Sequence, residues 1–343
     1  MENITSDHSK CHDSATVTSG EPIPSAVMFS TGVVGNIVAL VLLEVRRANS
    51  SRSVYHVLVI ALLMTDLLGS LSVSPVVLVA YARGKTLVGM SPNKEVCSYF
   101  GFVMTFLILF TLSILCVMAL ERYLSIGHPY FYERHVSKRC AYTAMALVYP
   151  SSMLFCVGPL LGFGKYVQYC PGTWCFLEMS HTDGKNKVYI GLYASFILVM
   201  ILSTVVGNVC VIVLLAKMYR RGKMRRSAVS KSMTEEMEHL LPLALVTVVF
   251  ICCTFPTVLQ VYLNFTGRRE EHHSADLGVL RLLSAHSIIN PWVFIILRPS
   301  VLRILWRKLH KPEKSTFMSG KTLSCETNQT GKKPCSAAPE SGV

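Results

Sequence analysis

A series of polar residues runs along one side of an apolar segment near the end of the chain. Its members recur every three residues: Arg281, Ser284, Ser287 and Asn290. This spacing places them on one face of a helix, and that face must turn away from lipid, because ionisable groups in hydrocarbon are costly. The natural complement of a buried guanidinium is a carboxylate, which arginine engages through two parallel hydrogen bonds.

Two interpretations of this arginine are open. An internal ion pair would neutralise it, but the outer halves of the other apolar segments contain no Asp or Glu. The alternative is an acidic ligand held by Arg281, with Ser284 one helical turn further along the same face. The sequence therefore favours a binding site for a ligand that carries a carboxylate.

Asp66 is the second ionisable residue within an apolar segment. As a structural residue, it would be a hydrogen-bonded carboxylate that links helices. As a functional residue, it would hold a sodium ion or a proton that favours the inactive state. Either way, we expect it to couple its helix to Asn36 and Asn290.

Glu121, Arg122 and Tyr123 close another apolar segment at its inner end. They could form an ordinary interfacial charge cluster. Glu236, however, lies 20 residues before Pro256, which is about 30 Å along a helix and reaches the same inner level. We therefore predict an Arg122–Glu236 pair that holds two helices together, and breaking such a pair is a plausible switch.

The elements that must position these residues are membrane helices. Hydrophobic residues make up 51% of the 343 positions and charged residues 15%, against roughly 25% charged in soluble domains. A bilayer core about 30 Å thick needs about 20 apolar residues per helix. Seven such runs occur: Ile23–Leu43, His56–Tyr81, Ser98–Leu120, Ala141–Phe163, Val188–Leu215, Leu240–Leu263 and Leu277–Leu297. The predicted fold is an all-α membrane protein built as a seven-transmembrane-helix bundle.

Orientation follows from the positive charges. Of the 33 Lys and Arg residues, 23 fall on the side that holds the C-terminus and nine on the other, and cytoplasmic loops collect positive charge. We therefore expect residues 1–22 outside and the tail inside. Anionic inner-leaflet lipids then account for the net charge of +13 better than nucleic acid does.

Past the seventh run the chain becomes amphipathic and then polar. Leu302, Leu305, Trp306 and Leu309 share one face, so residues 298–311 are predicted to form a short eighth helix in the inner interface. Residues 312–343 are rich in Ser, Thr and Lys, and we expect a disordered tail that receptor kinases could modify to recruit arrestin.

Four cysteines fall on the outer side, where disulfides persist: Cys11, Cys97, Cys170 and Cys175. They allow three pairings. We favour Cys97 with Cys175, which would pin the second outer loop across the bundle mouth, and Cys11 with Cys170. Two glycosylation sequons also lie outside, at Asn3 and Asn264.

The order and spacing of several motifs resemble those of rhodopsin-like G-protein-coupled receptors. They are Gly35-Asn36, Leu62 through Asp66, Glu121-Arg122-Tyr123, Pro256 and Asn290-Pro291. Three longer runs are similar to prostanoid receptors: ERYLSIGHPYFYER from Glu121, YCPGTWCF from Tyr169 and NPWVFIILRP from Asn290. In most of that family an aspartate stands where this chain has Asn290.

The resemblance implies a plasma-membrane receptor with no enzymatic activity and no cofactor. It implies that the ligand carboxylate is held by Arg281, by Thr173 in the outer loop and by Tyr81. The implied ligand is prostaglandin E2, with prostaglandin D2 or prostacyclin as alternatives, and the implied partner is the stimulatory heterotrimeric G protein, which raises cyclic AMP.

Other membrane proteins fit less well. A retinal pigment needs a lysine in the seventh helix, and the seventh run has none. A transporter or channel, the distant alternative, would show broken helices or several midplane charges. An intramembrane enzyme would need a catalytic pair or a metal cluster, and His272-His273 is a lone loop pair.

Overall fold

The computed structural model describes residues 13–17, 21–47, 54–178, 184–222, 229–265 and 273–296. Within these ranges the side chains at 46–47, 219, 221–222, 229–243, 264–265, 273–277 and 280 are not described. The predicted interfacial helix at 298–311 and the tail at 312–343 lie outside the described residues, as does most of the predicted extracellular segment 1–22. These three predictions stay open.

Seven long helices account for most of the described chain. They are α1 (Pro22–Arg47), α2 (Val54–Arg83), α3 (Glu95–Gly127), α5 (Lys138–Val157), α6 (Gly184–Gly222), α7 (Val229–Phe265) and α8 (His273–Ile296). Each contains one predicted apolar run or most of it, and several extend past it because polar residues at the membrane surface continue the helix. Among the described residues, six of them are long and apolar enough to cross a bilayer.

Four short elements were not predicted. Helix α4 (Pro129–His135) follows α3 directly, and a single 3₁₀ turn (Gly158–Leu161) ends α5. Strands β1 (Tyr166–Tyr169) and β2 (Trp174–Leu177) pair antiparallel in the second outer loop, with Tyr169 opposite Trp174. The fold is thus helical with one added hairpin.

Helix α3 lies at the centre of the bundle. Its buried side chains occur all around the helix, among them Phe100, Ile108, Leu112 and Leu115, as expected for a helix surrounded by others. The outer helices instead leave apolar side chains exposed, such as Val34, Leu154 and Val206. Such exposure suits contact with lipid rather than water.

Close packing joins the first and last long helices. A Cβ atom added at Gly35 would lie 2.9 Å from the Nε1 atom of Trp292 and 3.1 Å from the Cγ atom of Pro291. A side chain at this position of α1 would therefore push α8 away. Small residues allow helix backbones to approach in this way within membranes.

The outer mouth is covered by the hairpin and by a piece of the N-terminal segment. Thr16 forms a β-bridge with Lys85, and the Thr86 hydroxyl donates to the Ser14 carbonyl. The Gln168 side chain of β1 also donates to that carbonyl, at 3.2 Å. The N-terminal segment is therefore tied to both the first and the second outer loops.

Candidate functional site

A cavity lies between helices α1, α2, α3 and α8, with about 690 Å³ of empty space when the open solvent at its mouth is included. Its walls are largely apolar, with Met28, Val73, Met104 and Ile108 among them, and Trp174 of β2 also lines it. Hydroxyl groups are spread through the apolar surface, from Ser25, Ser70, Ser74, Ser284 and Ser287.

Of the four predicted ligand-binding residues, Ser284 lines this cavity. Arg281 lies one helical turn before Ser284 in α8, so both fall on the same face. Its side chain is exposed, and it takes part in neither the Lys94–Asp13 nor the Arg122–Glu121 ion pair. The binding of a ligand carboxylate by Arg281 stays a prediction.

Tyr81 lies seven residues after Ser74 in α2, which places it two turns outward on the same face of the helix. Its side chain is half-buried and packs against the apolar core. No hydrogen bond joins Tyr81, Thr173 and Arg281 to one another in the described part of the chain. Neither Tyr81 nor Arg281 is among the described residues that line the cavity, so their joint binding of a ligand carboxylate stays a prediction.

Thr173 is fully buried, and its hydroxyl has no hydrogen-bond partner among the described residues. A buried hydroxyl without a partner is costly, by roughly 1–3 kcal/mol, so a structure rarely keeps one without a use. Thr173 directly precedes Trp174, which lines the cavity. Its position makes the hydroxyl a candidate donor to a ligand.

The turn that carries Thr173 is held from several sides. Gly172 has a positive φ of 100°, which favours glycine, and its carbonyl accepts a 2.9 Å hydrogen bond from the Leu87 amide. Cys175, two residues after Thr173, forms a disulfide with Cys97 at the start of α3. This pairing confirms one of the two predicted disulfides.

Cys170 is also disulfide-bonded, but its partner lies outside the described residues, where Cys11 is found. The Cys11–Cys170 pair therefore stays a prediction.

Tyr166 is the first residue of strand β1. Its hydroxyl donates a 2.9 Å hydrogen bond to the Cys156 carbonyl, and burial raises the pKa of its phenol well above the usual value. Tyr166 therefore stays neutral at physiological pH and fixes β1 to α5.

Asp66 lies below the cavity in a network of side chains. Asn290 Nδ2 donates to Asp66 Oδ2 at 2.9 Å, which is the expected link between α2 and α8. Asn36 Nδ2 donates instead to the carbonyls of Gly32 and Ser287, at 2.9 and 3.3 Å. The expected coupling of Asp66 to Asn36 therefore runs through α8 backbone and not through a direct bond. Sodium binding at Asp66 stays a prediction.

Arg122 has a charge partner on its own helix. Its Nε atom lies 2.8 Å from Glu121 Oε2, and its guanidinium carbon lies 4.3 Å from the centre of the Tyr55 ring on α2. Tyr132 of α4 donates a 2.7 Å hydrogen bond to the other Glu121 oxygen. The side chain of Glu236, the predicted partner, lies outside the described residues.

The structure says less about the remaining residues predicted for the activation switch and for glycosylation. Tyr123 lies at the inner end of α3, where its hydroxyl is 3.5 Å from the His128 ring. Pro256 and Pro291 lie within α7 and α8. Asn3 and the side chain of Asn264 lie outside the described residues, so neither sequon is tested.

Several residues that line the cavity were not predicted from the sequence. Ser70 and Ser74 follow Asp66 at four-residue intervals in α2, and this helical spacing was a signal that could have identified them. His286 lines the cavity too, but it falls outside the three-residue series of α8. The one feature of the sequence that could have identified His286 is that an ionisable ring lies within a membrane helix.

Comparisons with known proteins agree with this architecture. Residues 35–294 match the family described as 7 transmembrane receptor (rhodopsin family). The structure resembles the crystal structure of squid rhodopsin with a TM-score of 0.70 and 17% identity, over 89% of this chain and 88% of that one. The seven-helix prediction is thereby confirmed.

The curated relatives are receptors and not enzymes. The prostaglandin E2 receptor EP2 subtype of Mus musculus is 41% identical over 97% of this chain and 98% of its own length. That of Homo sapiens is 44% identical, over 89% and 91%, and the Homo sapiens prostaglandin D2 receptor is 38% identical, over 88% and 92%. This chain therefore belongs to the rhodopsin family of seven-transmembrane receptors, within its prostanoid-receptor branch.

Proposed function

We propose that this protein is a plasma-membrane receptor for prostaglandin E2 that activates the stimulatory G protein and raises cyclic AMP. The observation that carries the proposal is its 41–44% identity to prostaglandin E2 receptors of the EP2 subtype, over most of each chain. The prostaglandin D2 receptors are less similar, at 38–39%. Prostaglandin E2 is accordingly the first ligand to test.

The chemistry of the site supports an acidic lipid. A prostaglandin has a carboxylate at one end, an apolar chain and hydroxyl groups. The exposed Arg281 and the buried, unpartnered Thr173 hydroxyl supply groups for the carboxylate, and Tyr81 is the third group proposed to bind it. The apolar walls with five serine hydroxyls suit the remainder of the molecule.

The proposed orientation places the N-terminus outside and the C-terminus in the cytoplasm. The excess of Lys and Arg on the C-terminal side supports it. On that inner side, the sequence from Lys217 to Lys231 has seven basic residues, and this positive charge suits contact with a G protein and with anionic lipids. Receptor kinases and arrestin are proposed to act on the Ser/Thr-rich tail at 312–343.

A cyclic AMP assay in cells that express the chain tests the proposal. Prostaglandin E2, prostaglandin D2 and a stable prostacyclin analogue are compared over full dose ranges, beside untransfected cells. We expect prostaglandin E2 to be the most potent. A stronger response to either other ligand would reassign the ligand, and no response to any of the three would overturn the receptor proposal.

The site is tested in the same assay with Arg281→Ala. We expect its dose response to shift by at least about tenfold, because a charge-assisted contact is lost. Arg83→Ala is the matched control, since Arg83 is also exposed at the outer end of a helix. A normal response from Arg281→Ala would show that the carboxylate binds elsewhere.

A further inference from the structure

Among the described residues, the long helices α5, α6 and α7 contribute no wall to the cavity. Its lining residues in the described part of the chain come from α1, α2, α3, β2 and α8, and none comes from α6 or α7. A ligand that contacts only these lining residues would therefore have no direct contact with the described side chains of α7. Since α7 runs from the outer face to the inner basic region, an effect of the ligand on α7 needs a side chain that contacts both.

His286 makes both contacts. It is 2% exposed and lines the cavity, while its ring centre lies 4.8 Å from that of Phe250 on α7, with the planes at 70°. This is the edge-to-face arrangement that aromatic rings prefer. Phe250 is itself 1% exposed, so a displaced imidazole must move the phenyl ring or lose the contact.

Hydrogen bonds hold the imidazole in this position. Its Nδ1 atom lies at hydrogen-bond distance from the Leu283 carbonyl, one turn earlier in α8, so Nδ1 carries the proton in this arrangement. Nε2 then accepts from the Ser287 hydroxyl at 3.1 Å. Ser287 also lines the cavity, so a ligand that contacts Ser287 acts on the imidazole as well.

Phe250 lies where a small displacement can reach the inner end of α7. Pro256 follows it by six residues in the same helix, and a proline inside a helix removes a backbone hydrogen bond and forms a bend point. Phe250 belongs to the inner side of that bend. Movement of its ring therefore acts on the inner arm of α7.

We propose that His286 transmits occupancy of the cavity to α7 through its ring contact with Phe250. The inference rests on the proposed function for the identity of the ligand. It assigns His286 as a positioning residue that acts through Phe250 and is not itself the group that holds the ligand.

A double-mutant cycle tests this coupling. His286→Ala, Phe250→Ala and the double variant are compared for cell-surface expression, for prostaglandin E2 affinity in the presence of a GTP analogue, and for maximal cyclic AMP response. We expect each single variant to lower the maximal response per surface receptor by at least about threefold, with affinity changed less than about threefold, and the double variant to do no more.

Two further variants guard against a purely structural effect. His286→Phe keeps a ring against Phe250 and is expected to restore most of the response. Phe255→Ala removes the same side chain from a lipid-facing position of α7, where Phe255 is 44% exposed, and is expected to behave as the unchanged protein. A response lost in His286→Phe as fully as in His286→Ala would overturn the inference.

Other outcomes also overturn it. Affinity that falls in proportion to the response would make His286 a binding residue only, and additive losses in the double variant would show that the two rings act separately. If the unchanged protein does not bind prostaglandin E2, the proposed function fails instead. The cycle is then measured on ligand-independent nucleotide exchange by the G protein, where additivity again overturns the coupling.

Discussion

Asn290 of α8 donates a 2.9 Å hydrogen bond to the Asp66 carboxyl of α2, and both side chains are almost fully buried. Most prostanoid receptors are expected to carry an aspartate at the position of Asn290. Two carboxyl groups at that distance cannot both be charged without a cation between them. The amide of Asn290 instead provides a donor to the Asp66 carboxyl.

Asn290→Ala is therefore expected to destabilise the receptor. The substitution removes a donor to a buried carboxyl, a loss of about 1–3 kcal/mol, and we expect a lower melting temperature of the purified receptor in detergent. Asn93→Ala serves as the control, since Asn93 is exposed in an outer loop. Equal melting of Asn290→Ala and the unchanged protein would mean that the bond contributes nothing to stability.

Thr173→Val separates a binding role from a structural one. Because the Thr173 hydroxyl has no partner in the ligand-free protein, replacing it by a methyl group should leave the melting temperature unchanged or raise it. Prostaglandin E2 affinity, measured on the same preparation, should fall by about tenfold, the equivalent of one lost hydrogen bond.

Thr86→Val is its matched control. Thr86 is equally buried, but its hydroxyl donates to the Ser14 carbonyl and accepts from the Gly89 amide. We expect this variant to melt earlier than the unchanged protein. If Thr173→Val melted earlier too, while binding stayed normal, Thr173 would be a structural residue.

The pairing of Arg281 with the ligand carboxylate is tested by changing the ligand as well. The methyl ester of prostaglandin E2 cannot form the charge-assisted contact, so it should be less potent than the acid on the unchanged receptor. On Arg281→Ala the ester and the acid should differ by less than about threefold. A preference for the acid that survives in the variant would point to a different cation. Dose-response curves for cyclic AMP provide the measurement.

The Cys97–Cys175 disulfide is expected to hold the Thr173 turn in place. It closes a loop of 78 residues, for which the chain-entropy model gives a stabilisation of about 4–5 kcal/mol. Cys97→Ala should lower surface expression and abolish high-affinity binding. Cys140→Ala, which removes an exposed free thiol, should do neither. Retained binding in Cys97→Ala would show that β1 and β2 keep the turn without the cross-link.

The helices could be predicted because the bilayer imposes their length. Each run of about 20 apolar residues became a long helix, and the limits differ mainly where polar residues such as Lys94 or Arg83 begin or end them. The β1–β2 hairpin was missed because strands of four residues leave almost no periodicity to detect. Helix α4 was missed for a similar reason, since its seven residues lie between two predicted spans.

The site was predicted in part. Ser284 was predicted from its spacing in the helix and lines the cavity, whereas the role of Arg281 stays a prediction. Thr173 and Tyr81 rested on the family resemblance. Sequence could not place His286 against Phe250, since that contact depends on how α8 is rotated against α7. Nor could it show that Arg122 would meet Glu121, because neighbouring residues in a helix do not usually face one another.

The Arg122–Glu121 pair has a consequence for the energy of conformational change. Removing one member of a buried ion pair leaves an uncompensated charge, at a cost of about 3–5 kcal/mol. Here both members belong to α3, with Tyr55 and Tyr132 supporting them from α2 and α4. The pair can therefore stay intact when a neighbouring helix moves as a rigid body, and only a change within α3 itself bears that cost.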